Sequence, residues 1–264
     1  MSSAAVYWLS LLGVGWVSAT VLYGLSRRVG LIAVVDTLWS LGIGLGAVAY
    51  WIAFQSQEQM AFVVLSLVIL WSSRLTYHLI TDRVLPGKED PRYARLAKYW
   101  GAAAPRNFLF LFWAQVPLVA IFLIPITVAM SAQDGGAGVA DFLAVLVAVV
   151  AFVGEGVADR QLSRFRSNPE NRGGVCQVGL WRYSRHPNYF FEWLHWWAYV
   201  FFAWGHSSWL LTWIGPLVMF LFLRYISGVP PAEKSSLESR GSAYRQYQKT
   251  TNAFFPWKPQ KAES

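Results

Sequence analysis

Residues Asn107–Met130 read NFLFLFWAQVPLVAIFLIPITVAM, a run that contains no charged side chain. A helix of about 20 mainly apolar residues is long enough to cross the hydrocarbon core of a bilayer. This run therefore predicts a transmembrane helix, and it decides the class of fold to which the chain belongs.

Similar apolar segments lie on both sides of this one. They are, to within a few residues, Tyr7–Leu25, Gly30–Phe54, Ala61–Ile80, Val139–Gly156, Tyr189–Trp204 and Trp209–Tyr225. Only 14% of the residues are charged, whereas soluble domains carry about 25%. We therefore expect an all-α integral membrane protein, built as a bundle of about seven transmembrane helices, and not a soluble domain.

The basic residues are distributed unevenly among the connections between these segments. Residues 55–59, 131–138 and 205–208 contain no lysine or arginine, whereas the other connections and the tail after Arg224 contain many. Because such an excess marks cytoplasmic loops, we expect the N-terminus outside and the C-terminus in the cytoplasm. The net charge of +8 then requires no nucleic-acid partner, and the expected partner is the lipid bilayer. A short amphipathic helix is predicted at about Ala232–Thr250.

Several ionisable side chains lie within or beside the predicted spans. They are Asp36, Arg74, His78, Glu155, Asp159, Glu192, His195 and Arg224. Ionisable groups at membrane depth are costly and mark functional sites by default. Since most of them lie near the predicted cytoplasmic end, we expect one polar cavity that opens to the cytoplasm. The alternative to a shared cavity is that each ionisable side chain pairs with a neighbour or extends to the membrane interface.

The fifth predicted span continues into a polar helix with a chemically mixed face. Glu155, Asp159, Ser163 and Arg166 are spaced so that they fall on one side of a helix. Carboxylates followed by arginine suit a ligand with hydroxyl and phosphate groups. A stripe of ion pairs within the helix fits the same spacing equally well.

The segment Gly179–Glu192 reads GLWRYSRHPNYFFE and is the densest in chemically capable side chains. Pro187 suits the first turn of the next helix, which places Asn188 at a helix start. There the Asn188 amide would cap the helix or bind the carboxamide of a ligand. The free backbone N–H groups at the helix N-terminus would suit an anion. A basic, aromatic anchor at the membrane interface is the alternative reading.

This order of residues resembles the C-terminal part of the steroid 5-alpha-reductase family, and especially its bacterial branch called DUF1295. The matching stretches are Gly87–Tyr93, Ala158–Phe165, Gly179–Tyr189, Gly228–Lys234 and Tyr244–Thr251 with Phe255-Pro256. The resemblance implies a reductase that binds NADPH from the cytoplasm. Its substrate would be an apolar small molecule, steroid-like or another lipid, with a carbon–carbon double bond conjugated to a carbonyl. One membrane domain is expected over residues 1–264, with residues 1–135 on the substrate side and 136–264 on the cofactor side.

The resemblance also implies site residues. Those on the cofactor side are Arg74, Asp159, Arg166, Tyr183, Arg185, His186, Asn188, Tyr189, Arg224, Glu233 and Tyr244. Asn188 would meet the nicotinamide amide, and Arg224 would approach the phosphates. On the substrate side the chain departs from the steroid reductases, because Trp71 stands where they have a proton-donating tyrosine. Asp36, Tyr77 and His78 are the candidates for catalytic roles, and no metal site is expected.

Two other functions remain open on the sequence alone. Membrane methyltransferases that use S-adenosylmethionine share an Arg-His-Pro-x-Tyr segment, a later glutamate and a Tyr-x-x-Tyr tail. Glu233 and Tyr244 fit that pattern, whereas Asn188 and the pair of Asp159 and Arg166 favour the reductase. The other alternative is a lipid-binding protein that has the fold without the chemistry, an interpretation prompted by Trp71.

Overall fold

The computed structural model describes residues 2–54, 59–87, 89–132 and 138–260. Within these ranges the regular secondary structure is entirely helical, which confirms the predicted fold class. Six helical segments are long and apolar enough to cross a membrane. They are Ser3–Val29, Val34–Phe54, Gln59–Val84, Pro91–Ser131, Val139–Ser167 and Trp209–Thr250.

The remaining predicted span, Tyr189–Trp204, is a helix of 16 residues over Pro187–Phe202. That length is slightly below the range of about 17–25 residues usual for a transmembrane helix. The total of seven spans and the orientation of the chain therefore stay predictions.

The helices are numbered here in chain order. They are α1 (Ser3–Val29), α2 (Val34–Phe54), α3 (Gln59–Leu79), α4 (Pro91–Trp100), α5 (Ala104–Ser131), α6 (Val139–Ser167), α7 (Pro187–Phe202), α8 (Ile214–Leu221) and α9 (Val229–Thr250). Two π-helical turns, Ile80–Val84 and Phe222–Ile226, follow α3 and α8, and short 3₁₀ turns occupy Gly101–Ala103, Pro169–Asn171, Gly179–Arg182 and Trp209–Trp213. The chain divides into two compact units, unit 1 (Met1–Ala137 and Phe202–Ile214) and unit 2 (Gly138–Phe201 and Gly215–Ser264).

Unit 1 is organised around α5, which packs against α1, α2 and α3. Its core contains fully buried side chains from each of these helices, among them Ala19, Ile43, Val68 and Phe112. Large apolar side chains such as Leu45 remain exposed on the outer faces, as expected for helices that meet lipid rather than water.

Small residues bring α2 and α3 into close contact in unit 1. The Ser72 hydroxyl donates to the carbonyl of Ser40 over 2.8 Å, and the Ser40 and Thr76 hydroxyls are 2.8 Å apart. A Cβ atom on Gly44 would lie 2.4 Å from the Ser72 Oγ atom. Small and hydroxyl-bearing residues are what membrane helices use for such an approach.

Unit 2 contains α6, α7, most of α8 and α9. The Trp181 indole N–H donates to the carbonyl of Ala158 over 2.9 Å, and the backbone N–H of Leu180 donates to Gln161 Oε1 over 2.9 Å. These bonds hold the turn before α7 against α6. The predicted tail helix is present as α9, and it is kinked at Gly241, which has a φ of 52°.

The contact between α2 and α3 gives a first prediction. Gly44→Ala should lower the free energy of unfolding by about 1–3 kcal/mol, because the added methyl group overlaps the Ser72 side chain. The matched control is Gly13→Ala on α1, where a Cβ atom meets nothing within 4 Å. Denaturation of the detergent-solubilised protein measures the free energy of unfolding of both variants. Equal values for the two variants would contradict the close contact of Gly44 with Ser72.

Candidate functional site

The residues that precede α7 are fastened to the chain segment that follows α9. The fully buried Ser184 donates its hydroxyl to the carbonyl of Phe254 over 2.8 Å and accepts from the backbone N–H of His186. The backbone N–H of Arg185 donates to the carbonyl of Asn252 over 2.8 Å. These bonds fix the position from which the Arg185 and His186 side chains project.

The buried guanidinium of Arg185 is the centre of a polar network in unit 2. Its Nε and Nη2 atoms lie 2.7 and 2.6 Å from Glu233 Oε1. Its Nη1 atom donates to the carbonyls of Gln248, over 3.1 Å, and of Thr251. The Gln248 side chain also donates to Glu233 Oε2 over 2.8 Å. Arginine is suited to this arrangement because its planar group presents five donors at once. The network ties the two arms of α9 together across the kink at Gly241.

His186 belongs to the same network. Its Nε2 atom lies 3.4 Å from Glu233 Oε1, and its ring stacks on Tyr189 with centroids 5.2 Å apart. Burial lowers the pKa of His186 despite the nearby carboxylate, which favours a neutral ring. Burial by itself would raise the pKa of Glu233, but hydrogen bonds and charge from His186, Arg185 and Gln248 lower it to about 2. Glu233 is therefore ionised at neutral pH.

The amide of Asn188 connects α7 to α6. Its Nδ2 atom donates to Asp159 Oδ1 over 3.2 Å, which orients the side chain. The Asn188 Oδ1 atom is buried and has no hydrogen-bond partner within the part of the chain that the structure describes. Because buried polar atoms are paired in the great majority of cases, this oxygen is the atom that a donor from a ligand would satisfy.

Asn188 begins a polar stripe along one face of α7. Glu192, His195 and Tyr199 follow at helical spacing and are all buried. His195 Nε2 lies 2.8 Å from the Tyr199 hydroxyl, and the Trp196 indole N–H donates to Glu192 over 3.4 Å. The stripe contains an amide, a carboxylate, an imidazole and a phenol within about 16 Å along the helix axis.

Four other predicted cofactor residues of unit 2 lie around this region, and one of them, Tyr244, interacts with Arg185 through its side chain. Arg166 and Tyr183 are exposed, while Arg224 lies on the π-helical turn after α8 with its guanidinium 5.1 Å from the centre of the Tyr225 ring. Tyr244 is buried on α9 with its ring 5.8 Å from that of Tyr247. The structure thus brings together Asp159 with Asn188, and Arg185 with His186, Tyr189, Glu233 and Tyr244.

Comparison with known proteins places the chain in a family. The model of the family DUF1295, described as a protein of unknown function, matches residues 22–251. The chain belongs to DUF1295. This family is steroid 5-alpha-reductase-like, which confirms the resemblance seen in the sequence. A relative described as an uncharacterised protein of Schizosaccharomyces pombe is 27% identical over 266 residues, which cover 91% of this chain and 77% of the relative. No solved structure matches.

In this DUF1295 protein, the predicted catalytic residue Asp36 holds a cluster of charges in unit 1. Its carboxylate accepts from Arg83 and from Arg92, the latter over 2.7 Å, and from the Tyr93 hydroxyl over 2.6 Å. Asp90 pairs with the same two arginines at 3.1 and 3.0 Å. Asp36 therefore joins α2 to α4 and to the π-helical turn after α3, and its role in catalysis stays a prediction.

The other predicted residues of unit 1 lie on α3. Tyr77 is 71% exposed, and His78 Nδ1 lies 3.5 Å from Asp82 with both side chains exposed. Arg74 is half-buried. Trp71 is fully buried, with its ring edge-to-face on Trp39 at 5.6 Å. Trp71 is thus part of the core of unit 1, whereas the catalytic roles of Tyr77 and His78 stay predictions.

Sequence reasoning did not single out Tyr199 or Gln248 as members of the site. Tyr199 was detectable, because it continues the spacing of Asn188, Glu192 and His195 along α7. Gln248 was not, because its contact with Glu233 depends on the kink of α9. Among the described residues, no group of three or more histidine, cysteine or acidic side chains is arranged to hold a metal ion.

The low pKa of Glu233 gives a prediction about acid stability. In the unfolded chain this carboxyl takes up its proton near pH 4.5, and in the folded protein only near pH 2. The stabilisation by its charge is therefore fully present above pH 4.5 and is lost as the pH falls through this window. Glu233→Gln should be less stable than the wild type at neutral pH, and its stability should change less over the same window.

The control for this experiment is Glu170→Gln, which removes an exposed carboxylate in the loop after α6. Its melting temperature should follow the wild-type dependence on pH. If Glu233→Gln also followed that dependence, the ion pair with Arg185 would not be the source of the acid sensitivity.

Proposed function

We propose that this DUF1295 protein is a membrane-bound, NADPH-dependent reductase. It would saturate a carbon–carbon double bond conjugated to a carbonyl, in a steroid-like or other lipid substrate. The observation that carries the proposal is the buried, unpaired Asn188 Oδ1 atom at the start of α7. Family membership supports the same reading, since the family is steroid 5-alpha-reductase-like.

The chemistry of Asn188 fits the nicotinamide end of the cofactor. A carboxamide NH₂ group can donate to Asn188 Oδ1, whose amide is already oriented by its bond to Asp159. The stacked rings of His186 and Tyr189 offer a flat aromatic surface at the start of α7. A neutral His186 also keeps that surface free of charge. These residues would hold the ring that carries the transferred hydrogen.

The opposite end of the cofactor needs hydroxyl acceptors and positive charge. Asp159 accepts hydrogen bonds and suits ribose, while Arg166 and Arg224 would bind phosphates. S-adenosylmethionine carries no phosphate, so the arginines favour the dinucleotide. Unit 2 also has more arginine and lysine than acidic side chains, which raises the local concentration of a polyanionic ligand.

The reaction requires a hydride and a proton on adjacent carbon atoms. When bound, NADPH supplies the hydride to the alkene carbon. An acid of the protein must then reach the neighbouring carbon or the carbonyl oxygen within hydrogen-bond distance. On α7, Glu192 and the hydrogen-bonded pair of His195 and Tyr199 can hold such a proton in a place shielded from water. Tyr77 and His78 in unit 1 are the competing candidates.

A methyltransferase that uses S-adenosylmethionine is the second candidate function. Arg185 and His186 both contact Glu233. These three residues belong to the sequence patterns of the reductases and of the methyltransferases alike. That contact therefore fits either function, whereas the Asn188–Asp159 bond and the surrounding arginines favour the reductase.

Ligand-dependent stability distinguishes these functions. NADPH at about 100 times its dissociation constant should stabilise the purified protein by about 2.7 kcal/mol, because it binds only the folded state. S-adenosylmethionine at the same concentration should have no effect. Asn188→Ala should abolish the NADPH response, while Asn252→Ala, which truncates an exposed asparagine, should keep it.

The opposite results have defined meanings. A response to S-adenosylmethionine alone would replace the reductase with the methyltransferase. If neither ligand stabilised a folded protein, the non-enzymatic lipid-binding alternative would take the place of both. An unchanged NADPH response in Asn188→Ala would show that the cofactor binds elsewhere.

The proton donor is tested separately with an unsaturated lipid ketone as substrate. If the α7 stripe supplies the proton, Tyr199→Phe should lower kcat by about 10²–10⁴-fold while NADPH binding is retained. Tyr77→Phe and His78→Gln should then keep most of the activity. Loss of kcat in either variant of α3, with full activity in Tyr199→Phe, would return the catalytic role to unit 1.

A further inference from the structure

The outer face of unit 2 carries an open apolar groove between α6 and the start of α7. Its volume is about 390 Å³, and its walls include Val149, Val153, Val157, Leu180 and Phe191. Every lining side chain is apolar, and none belongs to the polar network around Arg185. The groove is therefore separate from the site described above.

The shape of the groove depends on a glycine. A Cβ atom on Gly154 would lie 2.4–2.5 Å from the ring of Phe191, a distance that no side chain tolerates. With glycine at this position the Phe191 ring can lie close to α6. It forms one wall of the groove, and the valines of α6 form the other.

A positive charge stands at one end of the groove. Val149, Val153, Val157 and Arg160 lie on one face of α6, so that Arg160 is the next residue of this face. The Arg160 Nε atom donates to the carbonyl of Gly156 over 3.0 Å. Its Nη2 atom lies 3.5 Å from where a Gly156 Cβ atom would be. The guanidinium is thus folded back along the helix toward the groove.

The rest of the guanidinium is available to a ligand. Arg160 is exposed, and no carboxylate in the described part of the chain forms an ion pair with it. An arginine at the end of an apolar membrane helix usually extends away from the hydrocarbon. Here the bond to Gly156 holds the guanidinium close to the helix instead, and no described side chain uses its remaining N–H groups.

We propose that this groove is a binding site for one anionic phospholipid. An acyl chain would lie along the valines of α6 against Phe191, and the phosphate would accept hydrogen bonds from Arg160. A guanidinium matches a phosphate in both charge and geometry. A lipid is favoured over a protein partner because one charged group stands at the end of an otherwise apolar groove, as in a phospholipid. The site does not depend on the proposed reductase function.

The test is native mass spectrometry of the full-length protein released from neutral detergent. Phosphatidylglycerol and phosphatidylcholine with the same acyl chains are added separately at equal concentration. One arginine near a membrane surface contributes roughly fivefold to the binding of an anionic lipid. We expect the wild type to retain phosphatidylglycerol about fivefold better, and Arg160→Gln to retain both lipids equally.

Matched variants separate the groove from general charge effects. Arg245→Gln removes an exposed arginine of α9 and should keep the preference for phosphatidylglycerol. Val153→Phe fills the groove and should lower retention of both lipids, whereas Leu146→Phe enlarges an exposed residue of α6 outside the groove and should not.

Equal retention of the two lipids by the wild type, or an unchanged preference in Arg160→Gln, would overturn the proposal. Two further outcomes would overturn the proposal. One is a mass spectrum in which the protein is a dimer without bound lipid, and the other is inorganic phosphate stabilising the protein as much as phosphatidylglycerol does.

Discussion

A hydrocarbon environment provides no hydrogen bonds, so every charge near a membrane helix must find its partners within the protein or at the interface. Both units meet this requirement with compact networks. In unit 1 the carboxylates of Asp36 and Asp90 share two arginines. In unit 2 the guanidinium of Arg185 is surrounded by a carboxylate and two carbonyls. Each network fixes a loop whose sequence belongs to the family pattern.

This requirement also separates structural from chemical roles among the polar residues. Arg185 and Asp36 are surrounded by protein partners, which leaves them little capacity for a ligand. Asn188 differs, because one of its two polar atoms is paired and the other is buried without a partner. A family motif therefore contains residues of two kinds. Some of them are held by protein partners, and one, Asn188, keeps a buried atom that a ligand could pair with.

The apolar segments could be predicted because hydropathy alone identifies a membrane helix. The tail helix was also predictable from its polar, amphipathic composition. The helix α4 and the two π-helical turns were not, because they lie in or beside polar connections where local propensity is weak. For the candidate site, residue spacing predicted the place of Asp159 on the helix that continues the fifth span, and residue order predicted Asn188 at a helix start. The bond between Arg185 and Glu233 was not, since its partners are 48 residues apart in the sequence.

The connection between the start of α7 and the tail has a consequence for biosynthesis. Ser184 bonds to a carbonyl 70 residues later, and Arg185 to one 66 residues later. Since the chain emerges from the ribosome N-terminal part first, α7 emerges before Gln248 and Thr251, two of the partners of Arg185. Until these partners emerge, the Arg185 guanidinium depends on water for the hydrogen bonds that their carbonyls later accept. The hydrogen bonds between the start of α7 and the tail can therefore form only after residue 254 has emerged, which makes the closure of unit 2 a late step in the maturation of the protein.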